Sequence, residues 1–139
     1  MAGARPPSLR GHPAPRALAA RLRSFKYAGR GIWTLLRSQH NSWIHAAATL
    51  LVVAAGFGLG ISRADWLALV LAMTLVWSAE AFNTAIEFVS DAAQPEFHPL
   101  IEKAKDVAAG AVLLSALGAL AVGMLVFAPH LFAPSFAGR

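Results

Sequence analysis

Three long apolar runs constrain this chain more than any other feature: "IHAAATLLVVAAGFGLGI" (44–61), "DWLALVLAMTLVWSAEAFNTAIEFV" (65–89) and "VAAGAVLLSALGALAVGMLVF" (107–127). A helix needs roughly 17 to 25 residues to cross a hydrocarbon core of about 30 Å, and each run meets that length. With 57% hydrophobic and 14% charged residues, the chain is too apolar for an ordinary soluble domain of its size. The expectation is an all-α membrane protein. "GISRAD" is so short that the first two runs must form an antiparallel helical hairpin. "SDAAQPEFHPLIEKAK", with its two prolines, joins the second run to the third on the opposite side of the bilayer.

The N-terminal flank is of a different kind. Residues 1–16 mix Pro, Gly and Arg without apolar periodicity and read as a disordered basic tail. From 17 to 38 the pattern changes. Leu18, Leu22, Phe25, Ile32 and Leu36 fall on one side of a helix, and Arg21, Arg23, Lys26, Arg30 and Arg37 on the other. That is an amphipathic helix lying on the membrane surface. The expected organisation is therefore a tail, a membrane domain over 17–130 and a short tail over 131–139. Within the domain are a surface helix (17–38) and transmembrane helices at 44–61, 66–89 and 107–127.

The net charge of +5 is unevenly placed, since Arg5, Arg10, Arg16, Arg21, Arg23, Lys26, Arg30 and Arg37 all precede the first acidic residue, Asp65. Beside apolar runs, such a block reads as a flank drawn to anionic lipid, so no nucleic-acid partner is expected. If the N-terminus is inside, ten of the 12 Lys and Arg residues lie on the inner side. The positive-inside rule thus places the surface helix and the 90–106 connection in the cytoplasm. Trp66 is then expected to anchor the outer interface. The chain has no cysteine, which removes disulfides, thiolate metal sites and cysteine nucleophiles.

The second run ends by carrying Glu80, Asn83, Glu87 and Asp91. At about 100° per residue, Glu87 and Asp91 project about 20° to either side of Glu80, with Asn83 about 60° away. All four share one face. Ionised carboxylates cost several kcal/mol in hydrocarbon, so this face must look into protein, a water-filled cleft or a metal. Asp91 fits equally a solvated helix end, and Asn83 an interhelical hydrogen bond. Lys103, Lys105 and Asp106 follow where the third run begins; alone, Lys105 reads as a snorkelling residue and Asp106 as an N-terminal helix carboxylate favoured by the dipole. Together with the glutamates they form another set. Carboxylates for Mg²⁺, a lysine for phosphate charge and a spare carboxylate to accept a hydroxyl proton are the parts of phosphoryl transfer. "GFGLG" (56–60) lacks the Lys and Ser/Thr of a phosphate loop and reads as helix packing through Gly56 and Gly60. His45, at the inner start of the first run, carries no assignment.

These residues resemble a known family, the small bacterial integral-membrane lipid kinases comprising diacylglycerol kinase and undecaprenol kinase. The matching segments are "SFKYAGRGI" (24–32), "NSWIH" (41–45), "EAFNTAIEFVSD" (80–91) and "FHPLIEKAKDVAAGAVLL" (97–114). The resemblance implies a surface helix plus three transmembrane helices assembled as a homotrimer, with active sites between protomers in the bacterial inner membrane. It implies ATP with Mg²⁺ as donor and a membrane lipid alcohol as acceptor, with "NSWIH" and the 97–114 segment closer to the undecaprenol kinase branch. It further implies that Glu80 is the catalytic base with Asn83 beside it, and that Glu87 holds the metal. Lys105 and Asp106 match an ATP-contacting pair, and Tyr27, Glu96, Phe97 and His98 match nucleotide-contacting positions. One position departs: Gln39 stands where the family has a second metal-binding glutamate. A Gln oxygen can ligate Mg²⁺, but without the charge that favours carboxylates. An impaired paralogue is one reading of that change. A transporter or scaffold subunit is the reading from another class, because acids within a helix also suit an ion pathway. Such a pathway should continue across the bilayer, whereas these acids stop halfway through the second run.

Overall fold

The computed structural model describes residues 14–38 and 40–132. Residues 1–13 and 133–139, which include most of the two expected tails, lie outside the described residues, as does Gln39. Four helices follow one another: α1 (Ala14–Ser38), α2 (His40–Leu59), α3 (Arg63–Ala93) and α4 (Pro99–Phe132). No strand occurs among the described residues. The chain falls into two compact units, one ending at Thr34 and the other beginning at Leu35.

In the first unit, the side chains of Leu22, Phe25, Ile32 and Trp33 are exposed. Arg21, Arg23, Lys26 and Arg30 are exposed on the same helix. The Arg30 guanidinium lies 5.9 Å from the centre of the Tyr27 ring, a cation–π arrangement between residues one turn apart.

The second unit is built on a tight hairpin. Leu59 is the last residue of α2 because Gly60 takes φ +62, the left-handed conformation that glycine adopts without a steric cost. The Ile61 N–H then donates to the Gly56 carbonyl at 3.3 Å, closing the helix end in a Schellman motif. Ser62 starts α3. Its Oγ accepts from the Asp65 N–H at 3.2 Å, while Asp65 Oδ2 accepts from the Ser62 N–H at 3.1 Å, a reciprocal capping box. Only Gly60, Ile61 and Ser62 separate the two helices.

The two glycines of "GFGLG" do different things. A Cβ at Gly56 would come within 2.8 Å of the Trp66 ring, whereas at Gly60 it would meet nothing within 4 Å. Gly56 permits close packing and Gly60 permits the turn. Trp66, expected as an outer interface anchor, takes part in this packing. It is half-buried, and its ring packs over Gly56 and against Phe57, with ring centres 4.9 Å apart. Near this end Ile61, Leu69 and Val126 form a buried cluster, with Val52, Trp66, Met73, Val122 and Phe127 against it.

α4 begins at Pro99 rather than at Val107. The cause is local: Pro99 occupies the first helical position, where its missing N–H costs nothing, and His98 Nδ1 accepts from the Leu100 N–H at 3.2 Å. The connection is thereby reduced to 94–98, and Lys103, Lys105 and Asp106 sit on helix. Glu102, not Asp106, is the acidic residue of the first turn, so the dipole argument made for Asp106 passes to Glu102.

α2, α3 and α4 are each long and apolar enough to cross a membrane. α3 packs mainly on α4 and less extensively on α2. Little of the apolar surface is consumed by that packing: only 6% of the most apolar window of α4 is buried. Leu50, Leu51, Leu71, Leu114 and Leu125 all point outward. So large an unpartnered apolar surface is what hydrocarbon, not water, accommodates.

Candidate active site

Away from the Gly60 turn, the first half of α2 faces the second half of α3. Trp77 Nε1 donates to Thr49 Oγ1 at 3.1 Å, tying the two helices together by a hydrogen bond inside an apolar stretch. The Trp77 ring stands edge-on to His45, with centres 6.3 Å apart and planes at 67°. His45 in turn brings its Nε2 to 3.8 Å from Glu80 Oε2.

Glu80 is 1% exposed, a carboxylate placed where carboxylates are almost never found without a partner. Ser42 of α2 and Asn83 and Thr84 of α3 are buried as well. Among the described residues, Ser42 Oγ, Glu80 Oε2, Asn83 Oδ1 and Thr84 Oγ1 are buried without a hydrogen-bond partner. Buried polar atoms are nearly always satisfied, so the free oxygens of Glu80 and Asn83, one turn apart on α3, mark a place prepared for something else. Asn83 uses its other end: Nδ2 donates to Glu87 Oε1 at 3.1 Å.

Glu80 and Asn83 face a cavity of about 330 Å³, lined also by Asn41, His45 and Glu87, with Val112 and Leu113 of α4 as its apolar wall. A second cavity of about 720 Å³ runs along the apolar faces of the same three helices, past Val52, Met73, Val76, Leu120 and Phe127. Ile44, His45 and Ala116 line both. An oxygen-rich chamber thus adjoins an apolar cleft, and His45 stands at the junction.

Of the polar face expected on α3, Glu80, Asn83 and Glu87 line the chamber and Asp91 does not. Asp91 is exposed and accepts from Lys105 Nζ at 2.6 Å, an ion pair that bridges α3 to α4. Asp106, Glu96, Phe97 and His98 are exposed, and neither they nor Lys105 line the chamber. Tyr27 belongs to the first unit and Gln39 lies outside the described residues. His45 is the participant that sequence reasoning left unassigned. The signal was present: a polar imidazole near the start of an apolar run is an anomaly of the same kind as Glu80, but its partner lies on another helix.

No group of three or more His, Cys, Asp or Glu side chains suited to a metal occurs among the described residues. The oxygens present suit a different arrangement. Mg²⁺ takes oxygen ligands and commonly needs only one or two carboxylates, the rest coming from substrate phosphates and water. Asn83 Oδ1, buried and unpaired, beside the half-buried Glu87 fits that use and does not fit a closed protein cage.

Residues 26–127 match the prokaryotic diacylglycerol kinase family. An undecaprenol kinase from Bacillus subtilis (strain 168) is 41% identical over 109 residues, which is 78% of this chain and 89% of that protein. A diacylglycerol kinase from Synechocystis sp. is 38% identical over 109 residues, which is 78% of this chain and 62% of that protein. The match to this second relative therefore stops short of two thirds of its length. Family and relatives agree with the membrane-length helices on one conclusion: the chain belongs to the prokaryotic diacylglycerol kinase family and is a multi-pass membrane phosphotransferase with an alcohol acceptor.

Proposed function

We propose that the protein transfers the γ-phosphoryl group of Mg-ATP to the hydroxyl of a membrane lipid alcohol, with undecaprenol preferred to diacylglycerol. The site faces the cytoplasm at the bacterial inner membrane, with the N-terminus on the same side and α1 lying in the interface. The observation that carries this reading is Glu80, whose buried Oε2 has no hydrogen-bond partner among the described residues and which lies beside an apolar cleft. Such a carboxylate is placed to take a proton from a hydroxyl that a lipid tail delivers from the bilayer side. The fuller match to the undecaprenol kinase, 89% of that protein against 62% of the diacylglycerol kinase, favours undecaprenol.

In the step itself the alcohol oxygen forms a bond to the γ-phosphorus, the bond from that phosphorus to the bridging oxygen breaks, and ADP leaves. Glu80 accepts the alcohol proton. Asn83 and Glu87 would hold Mg²⁺, which when bound neutralises charge on the phosphates. Lys105, exchanging Asp91 for phosphate, would meet the nucleotide together with Asp106, and Glu96, Phe97 and His98 would line its site. Lys105 and Asp106 do not line the Glu80 chamber of a single chain. A homotrimer in which neighbouring protomers complete each site is the assembly this reading calls for.

The test is thin-layer separation of lipids after incubating the purified protein with γ-labelled ATP and either undecaprenol or diacylglycerol. Stronger labelling of undecaprenol is expected. Stronger labelling of diacylglycerol would reverse the acceptor preference, and labelling of neither would refute the assignment.

A further inference from the structure

We propose that His45 binds the acceptor: its Nε2–H donates to the hydroxyl oxygen of the lipid alcohol while Glu80 Oε2 takes that hydroxyl's proton. The hydroxyl is seated between the two. This inference rests on the phosphoryl-transfer reading given above.

The separation of the two atoms is the first argument. At 3.8 Å, His45 Nε2 and Glu80 Oε2 are too far apart for a hydrogen bond to each other. They are well spaced to share a third atom, since an oxygen about 2.8 Å from each satisfies both with ordinary geometry. Glu80 Oε2 is also the atom left without a partner, so the structure holds an acceptor waiting for a donor.

Position is the second argument. His45 lines both the oxygen-rich chamber and the apolar cleft. A lipid alcohol lying in the cleft has one polar group, and it reaches the chamber past His45. The ring is held at that spot, because Trp77 packs edge-on against it and is itself fixed by its bond to Thr49.

Chemistry is the third. An alcohol oxygen has one hydrogen and two lone pairs. With the hydrogen directed to Glu80 and one lone pair occupied by the His45 N–H, the remaining lone pair is left to attack phosphorus. The pair therefore aims the nucleophile as well as deprotonating it, a form of orientation that accelerates transfer without adding charge.

The experiment uses the full chain in lipid bilayer discs, with undecaprenol as acceptor and ATP as donor. His45→Phe keeps an aromatic ring beside Trp77 and removes the donor, whereas His45→Gln restores an N–H of similar reach. In His45→Phe, kcat/KM for the alcohol should fall about tenfold, the scale of one lost hydrogen bond, with the KM for ATP unchanged. His45→Gln should recover most of that loss. Wild-type kcat/KM in His45→Phe would overturn the proposal. So would equal losses in the Phe and Gln variants accompanied by a lower unfolding midpoint, which is the behaviour of a packing residue. Failure of the wild-type protein to phosphorylate any lipid alcohol would overturn the underlying reading as well, and is thus distinguished from failure of His45 alone.

Discussion

Replacing Glu80 with Gln should move activity and stability in opposite directions. The side chain is 1% exposed, and its Oε2 lies 3.8 Å from His45 without a hydrogen bond, so neutralising it forfeits no bond that Oε2 makes. Holding an ionised group in such a place costs several kcal/mol even after relaxation. A neutral amide costs less, although it remains poorly satisfied at about 1–3 kcal/mol. The expected result is a gain of at least about 1 kcal/mol in resistance to unfolding, within the range by which buried polar substitutions act. Turnover should fall by about 10²–10⁴, the usual contribution of a general base, equivalent to about 3–5 kcal/mol on the barrier. Both quantities are measurable on one preparation: ATP-dependent phosphorylation of undecaprenol for the first, and tryptophan fluorescence during denaturant titration in detergent for the second. If turnover stayed at the wild-type level, Glu80 would not be the base. If the midpoint fell and activity fell only in step with it, Glu80 would be a structural partner of His45.

Three further outcomes follow from other parts of the chain. Gln39→Glu should lower the Mg²⁺ concentration for half-maximal activity, if, as the resemblance implies, this position shares the metal with Glu87; an unchanged requirement would argue against a shared metal site. Gly56→Ala should destabilise the protein by about 1–3 kcal/mol, since the new Cβ would sit 2.8 Å from the Trp66 ring, while turnover per folded molecule is retained. A midpoint equal to wild type would show that Trp66 moves aside freely. Ser62→Ala should cost about 1 kcal/mol through loss of the α3 cap, read in the same unfolding assay, and an effect near zero would mean that the hairpin is set by packing alone.

Much of the architecture was written in local pattern. Runs of apolar residues announce their own length, and "GISRAD" leaves room for nothing but a hairpin. Glu80, Asn83 and Glu87 share a face because the helical period places them there, and that period is readable from one segment alone. What escaped was of two kinds. Contacts between segments have no period: nothing in the spacing of α2 says that His45 meets Glu80, or that Lys105 reaches back to Asp91. Helix starts set by polar residues also escaped, since "EFHPLIEK" looks like a loop by composition and is largely helix once His98 and Pro99 supply the cap and first position. Glycine offered a subtler case. Gly56 and Gly60 are alike on paper, and only the backbone shows that one makes room for a neighbour and the other makes a bend possible.

The three-residue turn between α2 and α3 also acts as a ruler. From it, α2 runs back to His45 and α3 runs forward to Glu80, so the lengths of two separate helices are measured from one fixed point. Each residue added or removed along either arm advances everything beyond it by about 1.5 Å and swings it by about 100°. A single deletion between Ser62 and Glu80 would therefore turn the carboxylate out of the chamber altogether, and no side-chain adjustment could return it. Length changes in this protein should survive only when both arms change together and by whole helical turns. The hairpin thus makes the spacing of these helices as much a property of the active site as any residue that lines it.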